Sequence, residues 1–123
     1  MILVDTSVWI DHLDAADPLL VSLLNDERVL THPYVIGEIS LGSLRERDVV
    51  LGALHDLPHA PVATPEEMFY LIEREKLFSR GIGFVDTSLL ASARLIPGVT
   101  IWTRDKRLQQ VAGELCLGAK LAH

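Results

Sequence analysis

Four apolar residues, Met1, Ile2, Leu3 and Val4, open the chain without a polar break, and Asp5 ends the run. So short an apolar stretch, β-branched at Ile2 and Val4, predicts a strand covered on both faces, as in a parallel sheet between layers of helix. The period then changes: Val8, Trp9, His12 and Leu13 recur at helical spacing, with Asp11 and Asp14 opposite, and predict a helix over about 7–15 with Trp9 on its apolar stripe. Pro18 starts a short helix to about 24, and 28–31 reads as a second strand. A helix follows over 34–44 with Pro33 at its first position, where the missing N–H does no harm. Past the mixed charges of 45–48 comes a helix over about 49–57, then a turn that holds a short strand, 60–63. Thr64-Pro65-Glu66-Glu67 has the form of a capping box. The helix it opens, about 65–80, is expected to bury Met68, Leu71, Ile72 and Leu77 or Phe78 until Gly81 ends it. The next helix opens at Asp86, with Ala91, Ser92 and Ala93 small enough for close packing. Pro97-Gly98 then turns the chain into a buried strand, 99–102, followed by a helix over about 106–112 and a last short strand within 115–121.

Strands that alternate with helices in this way imply a three-layer α/β/α fold with a mainly parallel central sheet. The 123 residues make one domain, 1–123. An apolar fraction of 49% and a mean hydropathy of +0.28 are high for so small a chain, so a partner is expected to cover part of its surface, in a homodimer or a complex. No apolar run approaches the roughly 18 residues of a membrane span, and the N-terminus lacks the basic head and cleavage site of a secretory signal. A single cysteine, Cys116, permits no internal disulfide and no cysteine pair for zinc. The expected compartment is the cytoplasm. A net charge of -6 and a pI near 5.2 argue against a nucleic-acid binder held by overall charge. The exception is an enzyme that gathers carboxylates around a divalent cation, because the cation reverses the local sign.

Four acids fit that exception. Asp5 and Asp105 follow buried strands, where the ligand crevice of an open α/β sheet lies. Asp86 opens a helix, and Glu38 shares a helical face with Tyr34, Val35, Leu41 and Gly42, where a carboxylate is costly unless paired or bound to a cation. Each has a separate structural explanation: Asp5 as a helix cap, for example, and Glu38 as a partner of Arg45. One explanation covers all four, a carboxylate cluster that holds Mg2+ or Mn2+ and is suited to phosphoryl chemistry. Val4-Asp5-Thr6-Ser7 also recurs as Val85-Asp86-Thr87-Ser88 between unlike flanks, as two uses of one local device at a helix start. Asp11, Asp14 and Asp17 read as a solvated face, Arg80 is within reach of a phosphate, and His12, His32, His55, His59 and His123 have no spacing that suggests an acid/base pair.

The order of strand-Asp5-Thr6-Ser7, Glu38, Asp86 with Leu89-Leu90-Ala91-Ser92-Ala93, and Thr103-Arg104-Asp105 resembles the PIN-domain ribonucleases over essentially the whole chain. Its size and layout are most similar to their VapC-type toxin branch. The resemblance implies metal-dependent endonucleolytic cleavage of RNA, with Asp5, Glu38, Asp86 and Asp105 as metal-binding, catalytic acids and a small cognate antitoxin as inhibitor. It also implies that Thr103 or Thr6 orients a carboxylate or a water. Leu108 departs from the family pattern, which often has an aromatic residue there. Arg104, Lys106 and Arg107 around Asp105 read either as RNA-phosphate contacts or as a solvated helix start. Two rivals remain, a Mg-binding phosphoacceptor domain and a non-catalytic module with the same fold. The first would want an acid pair after the first strand, where this chain has only Asp5, and a dehalogenase-type phosphatase would want a second aspartate two residues on.

Overall fold

The computed structural model describes residues 1–121. His123, given no role above, lies outside the described residues. Strand β1 (Ile2–Val4) is the middle of a three-stranded parallel sheet ordered β2-β1-β3, with β2 (Val29–Leu30) on one side and β3 (Thr100–Trp102) on the other. Leu3 pairs with Leu30 across one ladder and with Ile101 across the other. All three residues of β1 are buried, which a strand needs when helices cover both faces of its sheet.

Between β1 and β2 run α1 (Thr6–Asp14) and α2 (Pro18–Asn25); between β2 and β3 run α3 (Pro33–Ser40), α4 (Arg47–Asp56), α5 (Pro65–Arg74) and α6 (Phe84–Arg94); α7 (Lys106–Glu114) follows β3. Helix α1 packs on α3, α3 on α4, α5 on α6, and α6 on β3. Together these elements make the expected three-layer α/β/α arrangement. The seven positions 87–93 of α6 are all buried, so this helix is surrounded by protein, and Ala91, Ser92 and Ala93 let its neighbours approach. Leu3, Val4, Val8, Leu20, Leu89, Leu90 and Leu108 form the centre of the core, and Trp9 is buried with them.

Several boundaries differ from the periodic pattern for local reasons. Residues 60–63 form no strand: Pro58 and Pro61 lack N–H donors, and the segment pairs only through an isolated bridge from Thr31 to His59. The 115–121 stretch likewise makes a single bridge, Ile101 to Gly118, after Cys116 enters the left-handed region at φ 60°. Helix α5 closes its capping box through Thr64 and Glu67 but stops at Arg74, because Lys76 and Ser79 take left-handed conformations. Leu77 is buried and Phe78 is exposed. Helix α3 ends at Ser40 rather than near 44, and α4 begins earlier, at Arg47.

His32 caps α3 and is fully buried. Its Nδ1 accepts the Tyr34 N–H at 3.0 Å, which leaves Nε2 to donate to Ser92 Oγ, also at 3.0 Å. Burial, and then the nearby His59, push its pKa down to about 4. The folded state therefore binds fewer protons than the unfolded state between pH 6.5 and about 4, and stability falls as pH drops through that window. The expected loss reaches about 3 kcal/mol. In His32→Asn, which keeps a cap acceptor but does not titrate, urea-unfolding stability should be flatter across this window; an unchanged pH slope would contradict the assignment.

Candidate active site

Strands β1 and β3 are parallel neighbours, so their carboxyl ends emerge side by side, and the Asp5 N–H donates to Trp102 O at 2.9 Å. From β1 the chain leaves toward β2 on one side, while β3 lies on the other. The acids thus sit at the point where strand order reverses, the usual crevice of such sheets.

Asp5 caps α1 and is 5% exposed. Its Oδ2 accepts from Ser7 Oγ at 2.7 Å, from Thr103 Oγ1 at 2.8 Å and from the Ser7 N–H at 3.4 Å. Asp105 caps α7, its Oδ1 accepting the N–H groups of Arg107 at 2.9 Å and Leu108 at 3.1 Å. Asp86 lies in the first turn of α6, two residues later than a helix opening at Asp86 would have it, and its Oδ2 accepts the Gly83 N–H at 3.0 Å. Glu38 Oε1 accepts from Thr6 Oγ1 at 2.7 Å, with no ion pair to Arg45 among the described residues; of its expected apolar neighbours Val35 is buried, whereas Tyr34 and Leu41, just past α3, are exposed. In every carboxylate one oxygen is held by the protein and the other has no partner among the described residues. Three of the four acids stand at helix N-termini, whose partial positive charge favours the ionised form.

The four are close enough to feel one another. Burial, followed by the charges of Asp5, Asp105 and Glu38, holds the Asp86 carboxyl above its ordinary range against the lowering effect of the Gly83 N–H. Among the described residues, however, no three acids, histidines or cysteines converge tightly enough to form a ready-made ligand set. An all-oxygen donor set with one open oxygen per carboxylate still fits Mg2+ or Mn2+. Mg2+ keeps several waters and needs only one or two direct carboxylates.

Around this centre the hydroxyls are linked. Thr103 Oγ1 accepts the Asp105 N–H at 3.1 Å while donating to Asp5, and Ser7 Oγ accepts the Arg104 N–H at 3.0 Å. Ser7 was not singled out by sequence, although a hydroxyl two residues after a capping aspartate is the pattern of an Asx turn. The repeated tetrapeptide is not one device used twice. Asp5 precedes its helix and gathers Ser7, whereas Asp86 lies inside its helix, Thr87 Oγ1 donates to Gly83 O, and Ser88 Oγ is buried without a partner among the described residues.

The basic residues separate. Arg104 is engaged twice, with Asp11 at 2.7 Å and Asp17 at 2.6 Å, so those two acids are not a solvated face, and Asp17 also caps α2. Arg80 is paired with Glu114 at 2.6 Å. Lys106 and Arg107 are exposed and have no ion pair among the described residues.

Comparison with known proteins agrees with this layout. The PIN domain family matches residues 2–114. Ribonuclease VapC32 of Mycobacterium tuberculosis, from strain CDC 1551 / Oshkosh and again from strain ATCC 25618 / H37Rv, is 53% identical over 114 residues that span 93% of this chain and 92% of the relative. With the family match running from the first strand through the last helix, and with a VapC-type relative identical at more than half of the aligned positions, the chain belongs to the PIN-domain family.

Proposed function

We propose that this chain, as a single nuclease domain, is a metal-dependent endoribonuclease and the toxin of a toxin–antitoxin pair. The observation that carries the reading is that Asp86 lies within electrostatic reach of Asp5, Asp105 and Glu38, acids carried by separate elements. Those four would hold Mg2+ or Mn2+. A cation held there would supply a water of lowered pKa and charge stabilisation for the attacking and leaving oxygens of a phosphodiester. Thr103 and Ser7 orient the Asp5 carboxylate through its inner oxygen, and Thr6 does the same for Glu38. Water rather than the RNA 2′-hydroxyl is the nucleophile, so the products carry 5′-phosphates.

A relative named as a ribonuclease over nearly the same length supports the RNA substrate. A small cognate antitoxin and a cytoplasmic site of action follow from the same family reading, and no helix among the described residues is long and apolar enough to cross a membrane. Exposed Phe69, Tyr70 and Phe84 support a surface covered by a second copy, in a homodimer.

The reading is tested by incubating purified protein with cellular RNA in Mg2+ or Mn2+ and in excess EDTA, then identifying the new ends. Fragments that need the cation and carry 5′-phosphates are expected. Cleavage that persists in EDTA and leaves 2′,3′-cyclic phosphates would refute it.

A further inference from the structure

Most arginines of this acidic chain are engaged. Arg74, Arg80, Arg94 and Arg104 have carboxylate partners, and Arg47 donates to Ser40 O. Arg28, without an acid partner among the described residues, precedes β2 at the amino end of the sheet, away from the acids. Arg45 and Arg107 also have none among the described residues, and each is near one of the four acids: Arg45 in a cavity that Glu38 lines, Arg107 in sequence after Asp105.

Arg45 lines a cavity of about 530 Å³ together with Glu38, Asp11 and Asp14, yet makes no ion pair with any of them. Arg107 follows Asp105 by two residues, and its side chain lies across Gly81. A Cβ built on that glycine would meet Arg107 Cδ and Nη1 at 2.8 Å. Gly81 has φ +79°, a conformation that favours glycine, and any side chain there would push Arg107 aside. Two residues further along the same loop, Gly83 donates to Asp86. Arg45 therefore shares a cavity with Glu38, and Arg107 lies against the loop that leads to Asp86.

We propose that Arg45 and Arg107 fix the track of a single-stranded RNA across the four acids, each taking a backbone phosphate on its own side of the cleaved bond. The proposal rests on the ribonuclease reading above. Planar guanidinium groups suit phosphate oxygens, and leaving both without a carboxylate partner in a chain of charge -6 keeps them available for an anion from outside. One divalent cation leaves the four carboxylates net negative, so Arg45 and Arg107 supply the positive charge that phosphates on either side of the acids require.

The test is binding of a fluorescent single-stranded RNA by the intact protein, with constant Ca2+ replacing Mg2+ to suppress cleavage, while potassium chloride is varied. Each phosphate contact on a single strand contributes about 0.7 to the slope of log affinity against log salt. Arg107→Ala and Arg45→Ala should each reduce the slope by about 0.7, and the double variant by about twice that. Arg107→Lys should restore it, and Arg94→Ala, paired with Glu75, should leave it unchanged. Gly81→Ala, which displaces the Arg107 side chain, should lower the slope like Arg107→Ala and add nothing to that variant. Slopes unchanged in both alanine variants, in a protein that binds and cuts RNA, would overturn the track alone and turn the two arginines toward an acidic protein surface. A wild-type protein that neither binds nor cuts RNA would overturn the track together with the ribonuclease reading.

Discussion

Asp86→Asn is expected to lower RNA cleavage by orders of magnitude and, in the metal-free protein at neutral pH, to raise the melting temperature. The two effects have one cause. Burial and the charges of Asp5, Asp105 and Glu38 hold the Asp86 carboxyl above its ordinary range, so the folded state retains a proton that the unfolded state has already released. Stability contributed by that proton is present at low pH and lost as pH rises through the raised pKa. At neutral pH the ionised Asp86 is therefore a net cost to the fold. The amide has no charge to desolvate, and its oxygen can still accept the Gly83 N–H that Asp86 accepts at 3.0 Å. Cleavage should fall by roughly 10²–10³-fold or more, the scale of losing one preorganised electrostatic contact at a reacting centre. Calorimetry in EDTA gives the first effect and a cleavage assay in Mg2+ the second. A variant with lower stability and full activity would put Asp86 outside the site.

Thr103→Val is expected to lower kcat by about 10–100-fold, the usual effect of removing a group that orients a metal-binding carboxylate. Valine has nearly the same shape, so the loss isolates the hydroxyl. That hydroxyl is buried, donates to Asp5 and accepts the Asp105 N–H, and so ties two acids from adjacent strand ends to one atom. Without it a buried carboxylate loses a donor and an N–H loses its acceptor, at a stability cost of about 1–3 kcal/mol. Thr103→Ser should recover most of both. A stability loss with unchanged kcat, measured well below the melting temperature, would make Thr103 structural only.

Which parts of this molecule were legible in the sequence follows from how far each interaction reaches along the chain. Strand β1 and the capping box of α5 are local: a short apolar run, and a threonine three residues before a glutamate. Asp5 and Asp105 were legible because a polar residue at the end of a buried strand has few places to point. The end of α5 was not, because Leu77 remains buried after the helix stops and so keeps the apolar pattern alive through a left-handed Lys76. The 60–63 segment is apolar enough for a strand, but Pro61 removes a donor from any ladder there.

Side-chain pairing was the least legible. Glu38 is held by Thr6, 32 residues away, and no spacing rule foretells that choice over the nearer Arg45. Arg104 reaches Asp11 and Asp17 across 93 and 87 residues, so a triplet that reads from sequence as a basic patch divides into one committed and two uncommitted side chains. Ser7 became part of the site only once β1 and β3 were neighbours and Thr103 lay across from it at 3.3 Å. The matched tetrapeptides at 4–7 and 85–88 carry the same lesson. Identical residues cap one helix and lie inside another, because the preceding residues, a strand in one case and Gly83-Phe84 in the other, decide where the helix begins.

Every step of the proposed chemistry depends on the four carboxylates acting together on one divalent cation. The most direct test is a titration of the intact protein with Mn2+, followed by electron paramagnetic resonance of the free ion and repeated with Asp5→Asn. Saturable binding to the wild type, weakened by about 10-fold or more in the variant, is the predicted result. Mn2+ that stays free in the presence of the wild type, or binding that Asp5→Asn leaves unchanged, would contradict it.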